Sequence, residues 1–170
     1  MISRRAHSPS VRPHLAFPSV TPRMILRPLE QNDAPQVARL VGELAGWNFP
    51  QDFLEKEARG YLAHTATMGE TVVGLFDMRG PLLGRISLSE EHNEPGEWHI
   101  GYYLLREARK QGYMGEAILG LKGVFKRANA TAFQASAEIK NRDSIRVLEK
   151  AGFRQSRPSD GTHLYFKMKL

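Results

Sequence analysis

Residues 97–139 place an apolar alternating run, EWHIGYYLL (97–105), before a helix-like stretch and a second alternating run, TAFQASAEI (131–139). Ala117, Ile118, Leu121, Val124 and Phe125 share one helical face of the stretch between them. A strand, a helix and a strand in that order require a parallel crossover. The runs just before, TVVGLFDM (71–78) and LLGRISLS (82–89), are separated only by a turn-like RGP, so they form an antiparallel hairpin that leads into residues 97–105. Few architectures hold both kinds of pairing. The chain must build one mixed sheet with helices packed on it.

The remaining segments fit that plan. MILRPL (24–29) is a strand with Pro28 at an edge or an end. Asp33 then stands as an N-cap, with Pro35 in the first turn and Gln36 three residues on. Val37, Leu40, Val41 and Leu44 continue at helical spacing, and Leu54, Ala58, Tyr61 and Leu62 mark a second helix. NRDSIRVLEKAGF ends a helix at Gly152, a left-handed C′ position closed by Phe153. HLYFKMKL (163–170) is the last strand. The predicted order is β-α-α-β-β-β-α-β-α-β. Gly120 and Gly123 each weaken their helix by about 1 kcal/mol relative to Ala, a cost consistent with close approach to the sheet.

Composition narrows the class. A chain of 170 residues suits one domain, here taken as 23–170. Residues 1–22 carry Pro9, Pro13, Pro18 and Pro22 without an apolar period and are expected as a basic, Pro-rich arm. Such an arm also arises when a start is assigned upstream of the true one, and Met24 opens the first structured element. The net charge is +6, and four of those charges lie in residues 1–23, so the body is nearly balanced. That balance argues against a nucleic-acid surface, and no interleaved basic and aromatic pattern supports one. There is no cysteine, which excludes a disulfide framework and a thiolate metal site and is most easily read as a reducing cytoplasm. No apolar run approaches the ~20 residues of a membrane span. The six histidines show no metal-ligand spacing.

The chemistry concentrates in RKQGYMGEAILGL (109–121), where the strand feeds the helix through Gly112 and Gly115. A helix N-terminus offers unpaired N–H groups and the positive end of the dipole, and phosphates bind there. Arg109 and Lys110 add charge. A tight strand–helix turn is the ordinary alternative. A Walker loop fails because Glu116 follows Gly115; the dinucleotide fingerprint lacks its third glycine. GYMG matches the KH RNA-binding GXXG literally, but KH loops join two helices around a basic centre, unlike Tyr113-Met114.

On these residues the chain resembles the GNAT acetyltransferases. Their coenzyme A loop, R/Q-x-x-G-x-G/A, aligns with Arg109, Gly112 and Met114, where Met replaces the usual Gly or Ala. TPRMILRPLEQNDA (22–35) and GEWHIGYYL resemble the subfamily that acetylates ribosomal-protein N-terminal alanine. NRDSIRVLEKAGF is similar to its block N-x-x-S-x-x-V-L-E-K-x-G-F. The resemblance spans residues 22–170. It implies an α/β fold with a central mixed sheet of six to seven strands and about four flanking helices.

It also implies acetyl-CoA as cosubstrate, without a metal, and a primary amine as acceptor. The loop Lys110, Gln111, Gly112, Tyr113, Met114, Gly115 and Glu116 then holds the pyrophosphate, helped by Arg109. Tyr103, Leu104 and Leu105 line the pantetheine arm, where the family's fourth and fifth strands splay apart. Asn141 bonds the arm or caps its helix, and Lys150 lies near the 3′-phosphate or is simply solvated. Glu97 and His99 alternate onto one face, and either is a candidate base for the acceptor amine. Where many relatives carry a Tyr acid this chain has Leu148, so Ser144 is the candidate donor to the leaving thiolate. Trp47, Phe49, Phe53 and Tyr61 are core or an acceptor wall. The acceptor is expected to be a protein N-terminus; the alternatives are a small amine or antibiotic on the same scaffold, or a non-catalytic CoA- or RNA-binding module. The resemblance admits a homodimer.

Overall fold

The computed structural model describes residues 15–170. Its strands are β1 (Ser19–Val20), β2 (Met24–Pro28), β3 (Thr71–Asp77), β4 (Leu82–Glu90), β5 (Glu97–Leu104), β6 (Ala132–Glu138), β7 (Arg154–Arg157) and β8 (His163–Lys169). The helices are α1 (Ala34–Ala45), α2 (Gln51–Thr67), α3 (Tyr113–Arg127) and α4 (Arg142–Ala151). All eight strands form one sheet in the order β1-β2-β3-β4-β5-β6-β8-β7. Only β5 and β6 run parallel, and α3 is the crossover that makes this necessary.

The sheet has two more strands than the six runs of alternating sequence. β7 reads RQSR and is exposed throughout, so it has no apolar pattern to announce it. β1 is two residues long and pairs Ser19 and Val20 with Leu26 and Ile25. It also corrects the expectation of a loose arm up to residue 22. Leu15 and Phe17 pack on the core, and Thr21 is buried and bonds both Met24 and Glu116. Residues 1–14 lie outside the described residues.

Helices cover both faces. α3 and α4 pack on one face around Phe125, Phe133, Phe153 and Leu148, all fully buried. Trp98 and Phe133 stand edge-on to Phe125 at 5.0 and 5.2 Å between centroids. α1 and α2 pack on the other face through Val37, Leu40, Ala58 and Leu62, against Phe76, Leu82 and Leu105. Alternation along β5 therefore sends Trp98 and Ile100 toward α3 and α4, and their odd-numbered neighbours toward α1 and α2.

Two local expectations change. Asp33 does precede α1, but its carboxylate does not cap that helix. It accepts from the Glu30 N–H and takes Arg27 in a two-point pair at 2.7 and 2.8 Å. Gln36 instead ties α1 to the β3–β4 turn, accepting from the Leu82 N–H at 2.6 Å. At Gly120 a Cβ would lie 2.9 Å from Thr21 and 3.0 Å from Leu26, so helix and sheet do approach closely there. Gly123 serves no such contact; only the Arg127 guanidinium is near.

Candidate active site

The β5–β6 ladder ends where the chemistry is expected. Glu97, Trp98 and His99 pair with Ala132, Phe133 and Gln134, and no further pair follows, although β5 runs on to Leu104 and β6 to Glu138. β4 meanwhile stays paired to β5 as far as Leu104. The strands thus splay apart after His99 and leave one edge of β5 without a strand partner.

A cavity of about 690 Å³ opens at this wedge, between the C-terminal end of β5 and the N-termini of α3 and α4. Gly112 caps α3 in the left-handed region at φ 81, where its own lack of a side chain leaves the first-turn N–H groups without a side-chain cap. Beside it, Gly115 has nothing within 4 Å of where a Cβ would stand, so the cavity reaches the helix backbone there. Met114 raises no obstacle. Its side chain turns inward and is 2% exposed in the α3–α4 core.

Arg109 and Lys110 line the same space. Arg109 is held by a bond from Nε to the Leu104 carbonyl and by stacking over Tyr103, 5.0 Å from the ring centre. Lys110 has φ 58, an uncommon value for a residue with a side chain, which the turn into Gly112 imposes. Tyr103 and Leu104 form one wall, and Asn141, Ser144 and Lys150 of the α4 segment form the other. Asn141 caps α4 by accepting from the Ser144 N–H at 3.0 Å.

Four expected residues stand elsewhere or act otherwise. Leu105 is not along the arm. It is 2% exposed in the α1–α2 core, and its N–H donates to the Leu83 carbonyl. Gln111 donates to the Glu107 carbonyl, and Tyr113 lies under the Arg23 guanidinium, 4.3 Å from its ring centre; neither lines the cavity. Glu116 borders the cavity but is bound from behind by the Thr21 hydroxyl and by the N–H and Nε of Arg23 at 2.6, 3.0 and 2.7 Å. Burial pushes its carboxyl up, but these bonds outweigh that and hold it below its ordinary value. Arg23 also donates to the Gln111 carbonyl, so it neutralises the one acid in the loop and fixes the loop to the sheet.

The two candidate bases differ sharply. Glu97 receives Gln134 Nε2 at 2.7 Å and Lys167 Nζ at 2.5 Å. Burial raises its carboxyl, but the Lys167 and Gln134 bonds prevail and lower it. His99 is half-buried at the last paired position before the splay, on the face turned to α1 and α2. Its backbone pairs with Ser89 and Gln134, and among the described residues its imidazole makes no side-chain hydrogen bond.

Sequence reasoning missed Tyr102. Its phenol lies 2.7 Å from Ser144 Oγ and 3.2 Å from the Ser144 carbonyl, inside the cavity. Burial pushes its pKa up, offset in part by the Ser144 bond, so the phenol keeps its proton at neutral pH. The available signal was alternation, which puts Tyr102 on the same face as Trp98 and Ile100, at the end nearest the glycine loop. Leu148 is fully buried and can donate nothing. Trp47, Phe49 and Phe53 form an exposed cluster, with centroids 4.7–6.2 Å apart, beside a second cavity of about 420 Å³ between α1 and α2. Tyr61 is separate from them and packs against the α1–α2 core. Among the described residues no cluster could hold a metal ion, and no helix is long and apolar enough to cross a membrane.

Comparison with known proteins agrees with this geometry. The sequence model of the acetyltransferase (GNAT) domain matches residues 23–154. No curated protein sequence matches the chain. Among solved structures, a GNAT-family acetyltransferase from Bacillus anthracis is 21% identical with a TM-score of 0.70, over 89% of this chain and 97% of that one. The ribosomal-protein-S5-alanine acetyltransferase of Vibrio fischeri is 19% identical with a TM-score of 0.68, over 86% and 92%. The microcin C7 self-immunity acetyltransferase, solved with acetyl-CoA and AMP, is 12% identical with a TM-score of 0.71, over 92% and 98%. At these identities the likeness is one of fold.

Proposed function

We propose, from the premise that this chain belongs to the GNAT acetyltransferase family, that it moves an acetyl group from acetyl-CoA to a primary amine by direct attack. The observation that carries this reading is the wedge itself: an unpartnered β5 edge that runs into an uncapped helix N-terminus flanked by Arg109 and Lys110. A pantetheine arm needs an extended channel with main-chain partners, and a pyrophosphate needs N–H donors and positive charge. Both needs are met in one continuous cavity.

The residues then divide the work. The first-turn N–H groups of α3, with Arg109 and Lys110, hold the diphosphate, and Gly115 leaves room for it. Main-chain groups of β5 beyond His99 align the arm, and an N–H among them stabilises the oxyanion that forms as the amine attacks. His99 accepts the amine proton, directly or through water. Glu97, with both oxygens engaged by Lys167 and Gln134, supports the strand end instead. The Ser144 hydroxyl, in contact with the Tyr102 phenol, donates to the departing thiolate. No cysteine is present to form an acyl-enzyme. Lys150, at the outer wall, is placed for the 3′-phosphate. The exposed Trp47, Phe49 and Phe53 form part of the acceptor's approach.

The test is thiol release from acetyl-CoA with N-terminal peptides and small amines, beside melting curves with acetyl-CoA and with RNA. The reading predicts amine-dependent release and a higher melting temperature with acetyl-CoA only. Stabilisation by RNA alone, or none by millimolar acetyl-CoA, overturns it.

A further inference from the structure

One row across the sheet, on the face turned to α1 and α2, reads Arg27, Gly74, Arg85, Tyr103 from β2 to β5. It holds two guanidinium groups on either side of a residue without a side chain. Arg27 is neutralised by Asp33 and stacks on Phe76, 4.1 Å from the ring centre. Arg85 is not. Its Nε and Nη1 are buried and have no hydrogen-bond partner among the described residues, and no carboxylate pairs with it. Above it the Tyr61 ring of α2 is 5.5 Å away, and the Tyr61 hydroxyl is also buried without a partner. Burial raises the Tyr61 pKa, partly offset by the Arg85 charge, so the hydroxyl remains a donor.

Three donor atoms with nothing to bond, two of them on one cation, are costly in a folded protein. A charge in that position repels any cationic ligand and attracts an anion. The neighbouring row toward the wedge is Ser87 and Gly101, and the next is Ser89 and His99. The residues between Arg85 and the proposed base on this face are thus small. Four residues of strand separate Arg85 from Ser89, about 13 Å at the usual rise. Arg85 is itself only half-buried, so part of its guanidinium faces solvent.

We infer that the acceptor amine also carries an anionic group, a carboxylate or a phosphate, and that Arg85 and Tyr61 hold this group while the amine lies at His99. This inference rests on the acetyltransferase reading and names the substrate class for it. Amine and anion lie at opposite ends of such an acceptor, as in an ω-amino acid or an aminoalkyl phosphate. Polyamines and aminoglycosides are excluded, because they bring further cations to an unpaired guanidinium.

The test uses the full chain saturated with CoA and matched ligands: an ω-amino acid against its amide, and an aminoalkyl phosphate against the corresponding amino alcohol. Melting temperature reports binding, and thiol release from acetyl-CoA reports turnover. The expected result is stabilisation by the charged member of at least one pair and not by its neutral counterpart. A preference of about 100-fold or more in kcat/KM accompanies it. Arg85→Gln abolishes the preference while CoA still raises the melting temperature, and Arg85→Lys restores part of it. Equal response to charged and neutral members, or a preference unchanged in Arg85→Gln, overturns the inference. Absence of any CoA-dependent stabilisation in the wild-type chain is a different failure and removes the acetyltransferase reading itself.

Discussion

His99 and Glu97 lie two residues apart on one face of β5, and their surroundings give them opposite chemistry. A carboxylate that is ion-paired to Lys167 and bonded by Gln134 is a poor proton acceptor, and the half-buried imidazole of His99, which has no such side-chain partner, is the base we propose. His99→Gln is expected to lower kcat/KM by about 10²-fold or more with little change in acetyl-CoA KM. Glu97→Gln, read by melting and by rate, is expected to affect stability more than rate. Asp33 offers a second test at this scale. Burial raises its pKa, but Arg27 and the Glu30 N–H lower it further than burial raises it. Its folded pKa is therefore depressed. The stability it contributes is complete above the unfolded value of about 4 and is lost as pH falls through the folded value. Asp33→Asn is expected to melt lower at pH 7, and the gap to the wild type is expected to narrow below about pH 4. An unchanged gap in melting curves from pH 7 to 3 would contradict this.

Among the elements, α3 does most to position the site, and its glycines have separate duties. Gly112 supplies a left-handed N-cap, Gly115 leaves the cavity open and Gly120 admits Thr21 and Leu26. Gly120→Ala gains about 1 kcal/mol of helix propensity but inserts a Cβ into a tight contact at about 1–3 kcal/mol, so a net loss is expected. Gly123→Ala meets only a flexible guanidinium and is expected to stabilise by about 0.5–1 kcal/mol. Denaturant melts of the two variants decide between these roles. α3 was legible in the sequence because its apolar face repeats at helical spacing and its entry carries charge and glycine together. β7 was not, because RQSR is exposed and lacks alternation, and β1 was not, because two residues cannot show a period. The Tyr102–Ser144 contact joins residues 42 positions apart and depends on how α4 docks, which no local pattern encodes.

For the molecule as a whole, the crossover and the hairpin before it were enough to predict a mixed sheet with helices packed on it; the structure adds that they cover both faces. The splay that makes the site was expected from family likeness alone. The physical basis is visible in the register: β4 follows β5 to its end while β6 departs after His99. The division of charge is also a property of the whole. Arg23 quiets Glu116 and Asp33 quiets Arg27, while Arg109, Lys110, Arg146 and Lys150 line the larger cavity and Arg85 stands unpaired among the described residues. The account as a whole requires the cofactor to occupy the larger cavity and not the smaller one beside Trp47. Amide chemical shifts during a CoA titration report this directly. The account predicts the largest shifts at Gly112, Tyr113, Met114 and Gly115, with smaller ones along Tyr102–Leu104. Shifts centred on Trp47 and Arg106, or a spectrum that does not change, would contradict it.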